Sequence, residues 1–447
     1  MRKILLTAIF IGVFAITLHF AFRSNYSEFS SKFTPLQPRS SGLQAGKEVR
    51  VLEKAQQKQQ PLDQVVTGFK NFVASLFFVD STTKETLKNA YEKADRGGEK
   101  LSILIVPGHD SVQSGTEFRG MKEASITLDL GEELYRLLAT DAHFDVRLSR
   151  TRAGYDSLIA KFLQEKKTEI TECVTTQKAL MSRYVALGKI ESRIIVGHNT
   201  APADTAYKLY GINKWANENN ADIILHIHFN DYPRGIRSVP GKYSGFSVYI
   251  PESQYSNAKG SRAIAEAIYA RLARFYPSSN LPKEDAGIVE DQELIAIGSN
   301  NTVDGAAILV EYGYIYEPHL QNAVIRQKAI SDLAFQTYLG IMDFFEDNMK
   351  KGLYETQLLP HEWQENIFRA GPAKKDTLSL QAALIIEGLY PPTGNSLNDC
   401  PMSGEFGVCT EKAVKAFQKK YGILPQTGYA GEKTRSKLNE LYGTDRN

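Results

Sequence analysis

The chain opens on an apolar run. Met1-Arg2-Lys3 leads into Ile4–Phe22, broken mainly by threonines and His19. Nineteen helical residues span about the hydrocarbon thickness of a bilayer. Residues 1–23 therefore read as a transmembrane anchor or a signal peptide. No clear A-x-A site follows the run, which favours the anchor. Arg2 and Lys3 before it and Arg23 and Lys32 after it leave the orientation unset. Residues 24–97 begin as a Ser- and Gln-rich tether. Val65, Val66, Phe69, Phe72, Val73 and Leu76 then recur at helical spacing, predicting a helical segment in this linker.

From Leu101 the pattern changes. Leu101–Val106 is a continuous apolar strand stopped by Pro107-Gly108. Ile126, Leu130, Leu134, Leu137 and Leu138 mark one face of a helix over 125–139. Further strands are expected at 145–148, 222–228, 245–250 and 306–311, and helices at 261–275 and 325–345. Apolar strands alternating with helices predict an α/β domain over 98–348, with a mostly parallel twisted sheet and helices on both faces. Residues 349–375 carry Gly371-Pro372 and read as a second linker. A small all-α domain is expected over 376–443.

Charge and cysteine content remove some classes. The 447 residues hold 53 Lys+Arg against 51 Asp+Glu, a formal charge of +2. The chain as a whole thus lacks a polybasic signature, and no nucleic-acid partner is expected. Three cysteines are too few for a disulfide scaffold, and none forms a CxxC pair.

Four polar residues stand out by position. His109 follows the first strand, Glu123 opens the next helix, and His228 and Glu311 end apolar strands. Open parallel sheets bind ligands beyond the carboxyl ends of their strands, so these residues can converge. Two His and a carboxylate form a ligand set for catalytic zinc, and a further Glu can serve as base. Singly, each residue reads as well as a surface or packing group.

The local motifs carry a resemblance. Ile103-Leu-Ile-Val-Pro-Gly-His109 resembles the "DPGHGG" segment of zinc-dependent N-acetylmuramoyl-L-alanine amidases, the type 3 amidase family. Gly120-Met-Lys-Glu123 is similar to that family's second ligand motif, and Val146-Arg-Leu-Ser-Arg150 to its "V-x-L-T-R" strand. Ala221–Asn230 resembles "A-D-L-x-x-S-I-H-A-N", and Ala307–Tyr314 resembles "A-V-L-V-E-x-G-F". The resemblance covers roughly 101–345. It implies cleavage of the amide between N-acetylmuramic acid and L-alanine of peptidoglycan. It also implies Zn²⁺ held by His109, Glu123 and His228, with Glu311 as catalytic base.

This sequence departs from the pattern at Val106, at Asp110-Ser111 in place of Gly-Gly, and at His226 in place of Ser. His226 shares a strand face with His228 and is a second-shell donor, an additional ligand or a packed residue. Asn230 is a candidate for positioning substrate or the strand end. The charged stretch 155–202 is expected to be helical, with Glu165, Glu169 and Glu172 on one face; it reads as a surface helix pair or as an autoinhibitory lid.

Leu380-Gln381, Gly404, Phe406-Gly407, Thr410, Phe417-Gln418, Gly428 and Thr434 resemble a peptidoglycan-binding three-helix domain. Residues 376–447 hold eight Lys+Arg and eight Asp+Glu, so shape and hydrogen bonds rather than net charge would bind glycan. A helical packing domain without ligand is the alternative. Cys400 and Cys409 bracket the Gly404 loop, and outside the cytoplasm a disulfide between them is plausible; free thiols are the other reading.

The expected protein is an extracytoplasmic envelope hydrolase, anchored through its N-terminal segment or secreted, with peptidoglycan as partner. No activator is identifiable. The rivals are another zinc peptidase or deacetylase of wall peptides, and a degenerate, non-catalytic wall-binding or recruitment protein.

Overall fold

The computed structural model describes residues 80–192, 201–297, 304–346, 354–369 and 374–444. The apolar run Ile4–Phe22 lies outside them. Among the described residues no helix is long and apolar enough to cross a membrane.

In chain order, α1 (Lys84–Asp95) precedes β1 (Leu101–Pro107), a hairpin of β2 (Glu117–Phe118) and β3 (Met121–Lys122), and α2 (Glu123–Leu138). Then come β4 (Phe144–Leu148), a second hairpin of β5 (Arg150–Thr151) and β6 (Gly154–Tyr155), and three helices. These are α3 (Ser157–Glu165), α4 (Lys167–Ala186) and α5 (Ala203–Glu218). The chain continues through β7 (Ile223–Asn230), β8 (Ser247–Pro251), α6 (Ala258–Leu272), β9 (Ile288–Asp291) and β10 (Ala306–Tyr314). The short α7 (Pro318–Gln321) leads to α8 (Ala323–Phe345), and α9 (Lys375–Ile386), α10 (Val408–Lys420) and α11 (Glu432–Tyr442) close the described chain.

The main sheet has six strands in the order β4-β1-β7-β10-β8-β9. It is mostly parallel, as the strand–helix alternation predicts. The exception is that β8 runs antiparallel to β10 and carries β9 parallel to itself. The central strands β1, β7 and β10 are apolar on both faces because helices cover both. Ile103, Ile105, Leu225, Ile227, Ile308 and Val310 face α2, α6 and α8. Leu104, Val106 and Ile224 face the layer holding Ile159, Leu163, Ile170 and Trp215 from α3, α4 and α5. Each fully buried Ile or Leu contributes roughly 1.5–3 kcal/mol to holding these layers on the sheet.

Two expectations change on this face. Glu165 closes α3 whereas Glu169 and Glu172 lie on α4, with Lys166 between the two helices, so the three do not form one helical stripe. The apolar residues Ile159, Leu163 and Ile170 instead fix α3 and α4 to the core. The helix α5, unread in the sequence, completes the layer; its buried positions include polar Asn213 and Tyr210, which blur an apolar stripe.

The C-terminal region is all-helical. Two buried glutamines organise it. Gln381 accepts from Gly404 N and donates to Glu405 O and Thr410 Oγ1. Gln418 accepts from Gly428 N and donates to Tyr429 O and Thr434 Oγ1. Each thus ties a glycine turn to the helix that follows it, which accounts for the spacing of these residues. A disulfide joins Cys400 and Cys409 across the Gly404 loop.

The stretch 354–369, read as linker, is packed. Leu359, Trp363 and Ile367 enter the core of the C-terminal helices. Buried Asp332 on α8 accepts from Thr356 Oγ1 and Gln357 N, because a buried carboxylate needs donors.

Candidate functional site

Parallel register brings the expected residues to one end of the sheet. β1 pairs with β7 through Val106↔His226, and β7 pairs with β10 through Glu311↔His228. His109 lies two residues beyond β1, in the left-handed region at φ 63°. Glu123 is delivered differently. The hairpin β2–β3 turns on Arg119-Gly120, both with positive φ, as two-residue hairpins require, and Glu123 follows as the first residue of α2.

The Glu123 carboxylate bridges two imidazoles. Its Oε2 lies 3.1 Å from His109 Nε2, and its Oε1 lies 3.1 Å from His228 Nδ1. It also accepts from the backbone N–H groups of Thr116 and Phe229. One donor atom from each of His109, Glu123 and His228 lies within 4.8 Å of the others, a grouping that fits a single metal ion. Two glycines give the cluster its room. A Cβ at Gly108 would fall 2.6 Å from His228 Nδ1, and one at Gly115 would fall 2.6 Å from His109 Cδ2.

Charge favours a cation here. Burial alone would raise the Glu123 carboxyl, but the two imidazoles hold it at about 2, so it stays ionised. Burial works against charge on His109, yet Glu123 outweighs it and raises that imidazole. His228 is lowered by burial despite the same carboxylate, which leaves its ring neutral and able to ligate.

Glu311 stands beside this group near the carboxyl end of β10. Its Oε2 is buried and has no hydrogen-bond partner. Burial, and then the nearby carboxylates of Glu123 and Glu284, push its carboxyl well above the usual range. Glu284 escaped the sequence reading. It sits in the loop between α6 and β9, fully buried, and accepts from Asn230 Nδ2 at 3.0 Å, Tyr249 OH at 2.5 Å and Tyr314 OH at 3.4 Å. Asn230 is therefore tied to a second acid, and nothing in the loop sequence around Glu284 marks it.

His226 is fully buried one pleat below His228, with neither ring nitrogen hydrogen-bonded. It falls outside the ligand grouping. Burial, and then His228, pull it down to about 3, so it is neutral. With Ser149, His109 and His228 it lines a cavity of about 40 Å³.

Arg150 explains the strand motif that carries it. Its buried guanidinium donates to the carbonyls of Pro107, Gly108 and Ala124, clamping the His109 turn to the first turn of α2. Arg150→Met leaves three carbonyls without this donor. It is expected to cost on the order of 3 kcal/mol, read as a lowered denaturant midpoint; an unchanged midpoint contradicts the clamp.

The sequence model of the N-acetylmuramoyl-L-alanine amidase family matches residues 103–343, and that of a peptidoglycan binding domain matches 374–438. No curated protein matches the chain. Similar solved structures include the N-acetylmuramoyl-L-alanine amidase of Clostridium difficile 630, at 18% identity and TM-score 0.33 over 55% of this chain and 94% of that one. The amidase of Mycobacterium smegmatis is similar at 16% identity and TM-score 0.35, over 56% and 98%. That of Nostoc punctiforme is similar at 17% and 0.33, over 55% and 97%. With more than half of its length matched by the family model, the chain belongs to the N-acetylmuramoyl-L-alanine amidase family and carries a peptidoglycan-binding domain behind the amidase domain.

Proposed function

We propose that this chain hydrolyses the amide between N-acetylmuramic acid and L-alanine of peptidoglycan with a bound zinc ion. The catalytic part is assigned to 98–348 and the wall-binding part to 376–443. The observation that carries the reading is the His109–Glu123–His228 grouping beside a partnerless carboxylate in a chain of this family. His109 Nε2, His228 Nδ1 and a Glu123 oxygen would hold the ion. Zinc in such a site lowers the pKa of water to about 7 and polarises a carbonyl.

The remaining chemistry belongs to the chain's own residues. Glu311 accepts the proton of the attacking water and returns it to the departing alanine nitrogen, which is too basic to leave unprotonated. Asn230, held by Glu284, borders the same strand end and orients substrate there. Action on wall peptidoglycan puts the protein outside the cytoplasm, with residues 1–23 as anchor or signal.

Digestion of purified sacculi, with and without chelator, tests the reading. New N-terminal alanine without free acetate is expected, and chelator should abolish it. Release of acetate, or cleavage elsewhere in the stem, supports a deacetylase or peptidase. Sacculus binding without any cleavage supports the non-catalytic reading.

A further inference from the structure

The family's usual Gly-Gly after the metal-binding His is Asp110-Ser111 here, and the structure gives that change a purpose. Asp110 is buried, and every face of its carboxylate is occupied. Oδ1 accepts from the backbone N–H groups of Val112 at 2.9 Å and Gln113 at 2.7 Å. Oδ2 accepts from Lys208 Nζ at 2.9 Å and Tyr155 OH at 2.9 Å. The Asp110 N–H in turn donates to Gln113 O, closing the 110–113 turn. Lys208 comes from α5, part of the helical layer between Glu123 and His228, and Tyr155 comes from β6, which leads into that layer.

Immediately before Asp110, His109 holds a left-handed backbone that a non-glycine residue rarely adopts unaided. Arg150 grips the carbonyl on its amino side, at Gly108. On its carboxyl side the only charged side chain gripping Asp110 among the described residues is Lys208, which also pairs with Asp204 at 2.8 Å. Long side chains lose much rotamer freedom when fixed, but the Lys208 ammonium is largely buried and doubly paired, so its geometry is set.

We propose that Lys208, with Tyr155, is a positioning residue for the metal site: by gripping Asp110 it holds the turn that aims His109 at Glu123. The helical layer thereby sets the metal affinity of the site without touching the ion. The inference rests on the zinc reading above. Groups that orient a metal ligand from outside the coordination sphere change affinity by about 10–100-fold when removed.

The test is zinc affinity of the full chain, measured by competition with a chromogenic chelator, alongside the unfolding midpoint of the metal-free proteins. Lys208→Met keeps the aliphatic stem and loses the ammonium. It is expected to weaken zinc binding by about 10–100-fold, with a metal-free midpoint close to wild type. Tyr155→Phe removes one hydroxyl and is expected to weaken zinc in the same direction by less. Asp204→Asn removes one of the two pairs that fix Lys208 and is expected to weaken zinc binding by less than Lys208→Met. Lys208→Met at wild-type zinc affinity overturns the proposal, whatever Tyr155→Phe does. If Lys208→Met does not fold, wild-type affinity in Tyr155→Phe overturns it. A wild-type chain that binds no zinc removes the metal reading and this inference together, whereas equal binding by wild type and variants removes this inference alone.

Discussion

Glu311→Gln should keep the bound zinc and lose about 10²–10⁴-fold in turnover. Glutamine keeps the shape of the side chain and can neither take nor return a proton. The position suits the role. Glu311 lies near the carboxyl end of β10, in register with His228, and its Oε2 has no hydrogen-bond partner to hold it in one protonation state. Burial and two neighbouring carboxylates raise its carboxyl, so in acid it holds its proton and cannot act as base. Turnover should therefore rise with pH as Glu311 ionises, and a bound divalent ion, by favouring the ionised form, moves that rise downward. With zinc kept saturating across the pH range, this limb of the pH profile should vanish in Glu311→Gln. Steady-state assay on a defined muropeptide, with zinc content measured in parallel, checks both points. Full activity in the variant would remove Glu311 from the mechanism.

His228→Ala should release the ion itself. Of the three donors, His228 and His109 are each within 3.1 Å of the Glu123 carboxylate that sits between them. Removing one imidazole leaves two protein donors, too few for a site that must also keep a position open. Zinc affinity should fall by more than about 100-fold, beyond the loss seen for groups outside the coordination sphere. Protons should act the same way. Glu123 raises the proton affinity of His109, so the metal-free site takes up a proton there as pH falls. Zinc binding must displace that proton, and retention should decline as pH drops through the imidazole range. Equilibrium dialysis over a pH series measures this, and pH-independent retention would speak against His109 as ligand.

Much of this site was legible because strand ends are legible. Continuous apolar runs reaching Pro107-Gly108, His228 and Glu311 mark buried strands near their carboxyl ends, although β7 runs on to Asn230 and β10 to Tyr314, and parallel register then brings these positions together. Glu123 was found by its place at a helix start. What escaped notice lies in contacts that have no local pattern. Glu284 is one acid in an irregular loop, and only its three side-chain donors identify it. Lys208 looks like any helical surface lysine until Asp110 is seen against it. The glutamate stripe over 165–172 failed for a related reason, since spacing presumes one helix and the chain breaks at Lys166. In the C-terminal domain the Gln, Gly and Thr positions were visible as a motif, while their hydrogen-bonded logic was not.

The most direct measurement is anomalous scattering at the zinc absorption edge from crystals of the zinc-loaded protein. A single strong peak bounded by His109, Glu123 and His228, with Glu311 alongside and outside the coordination sphere, is the predicted result. A peak elsewhere, or none among those three side chains, would contradict the account.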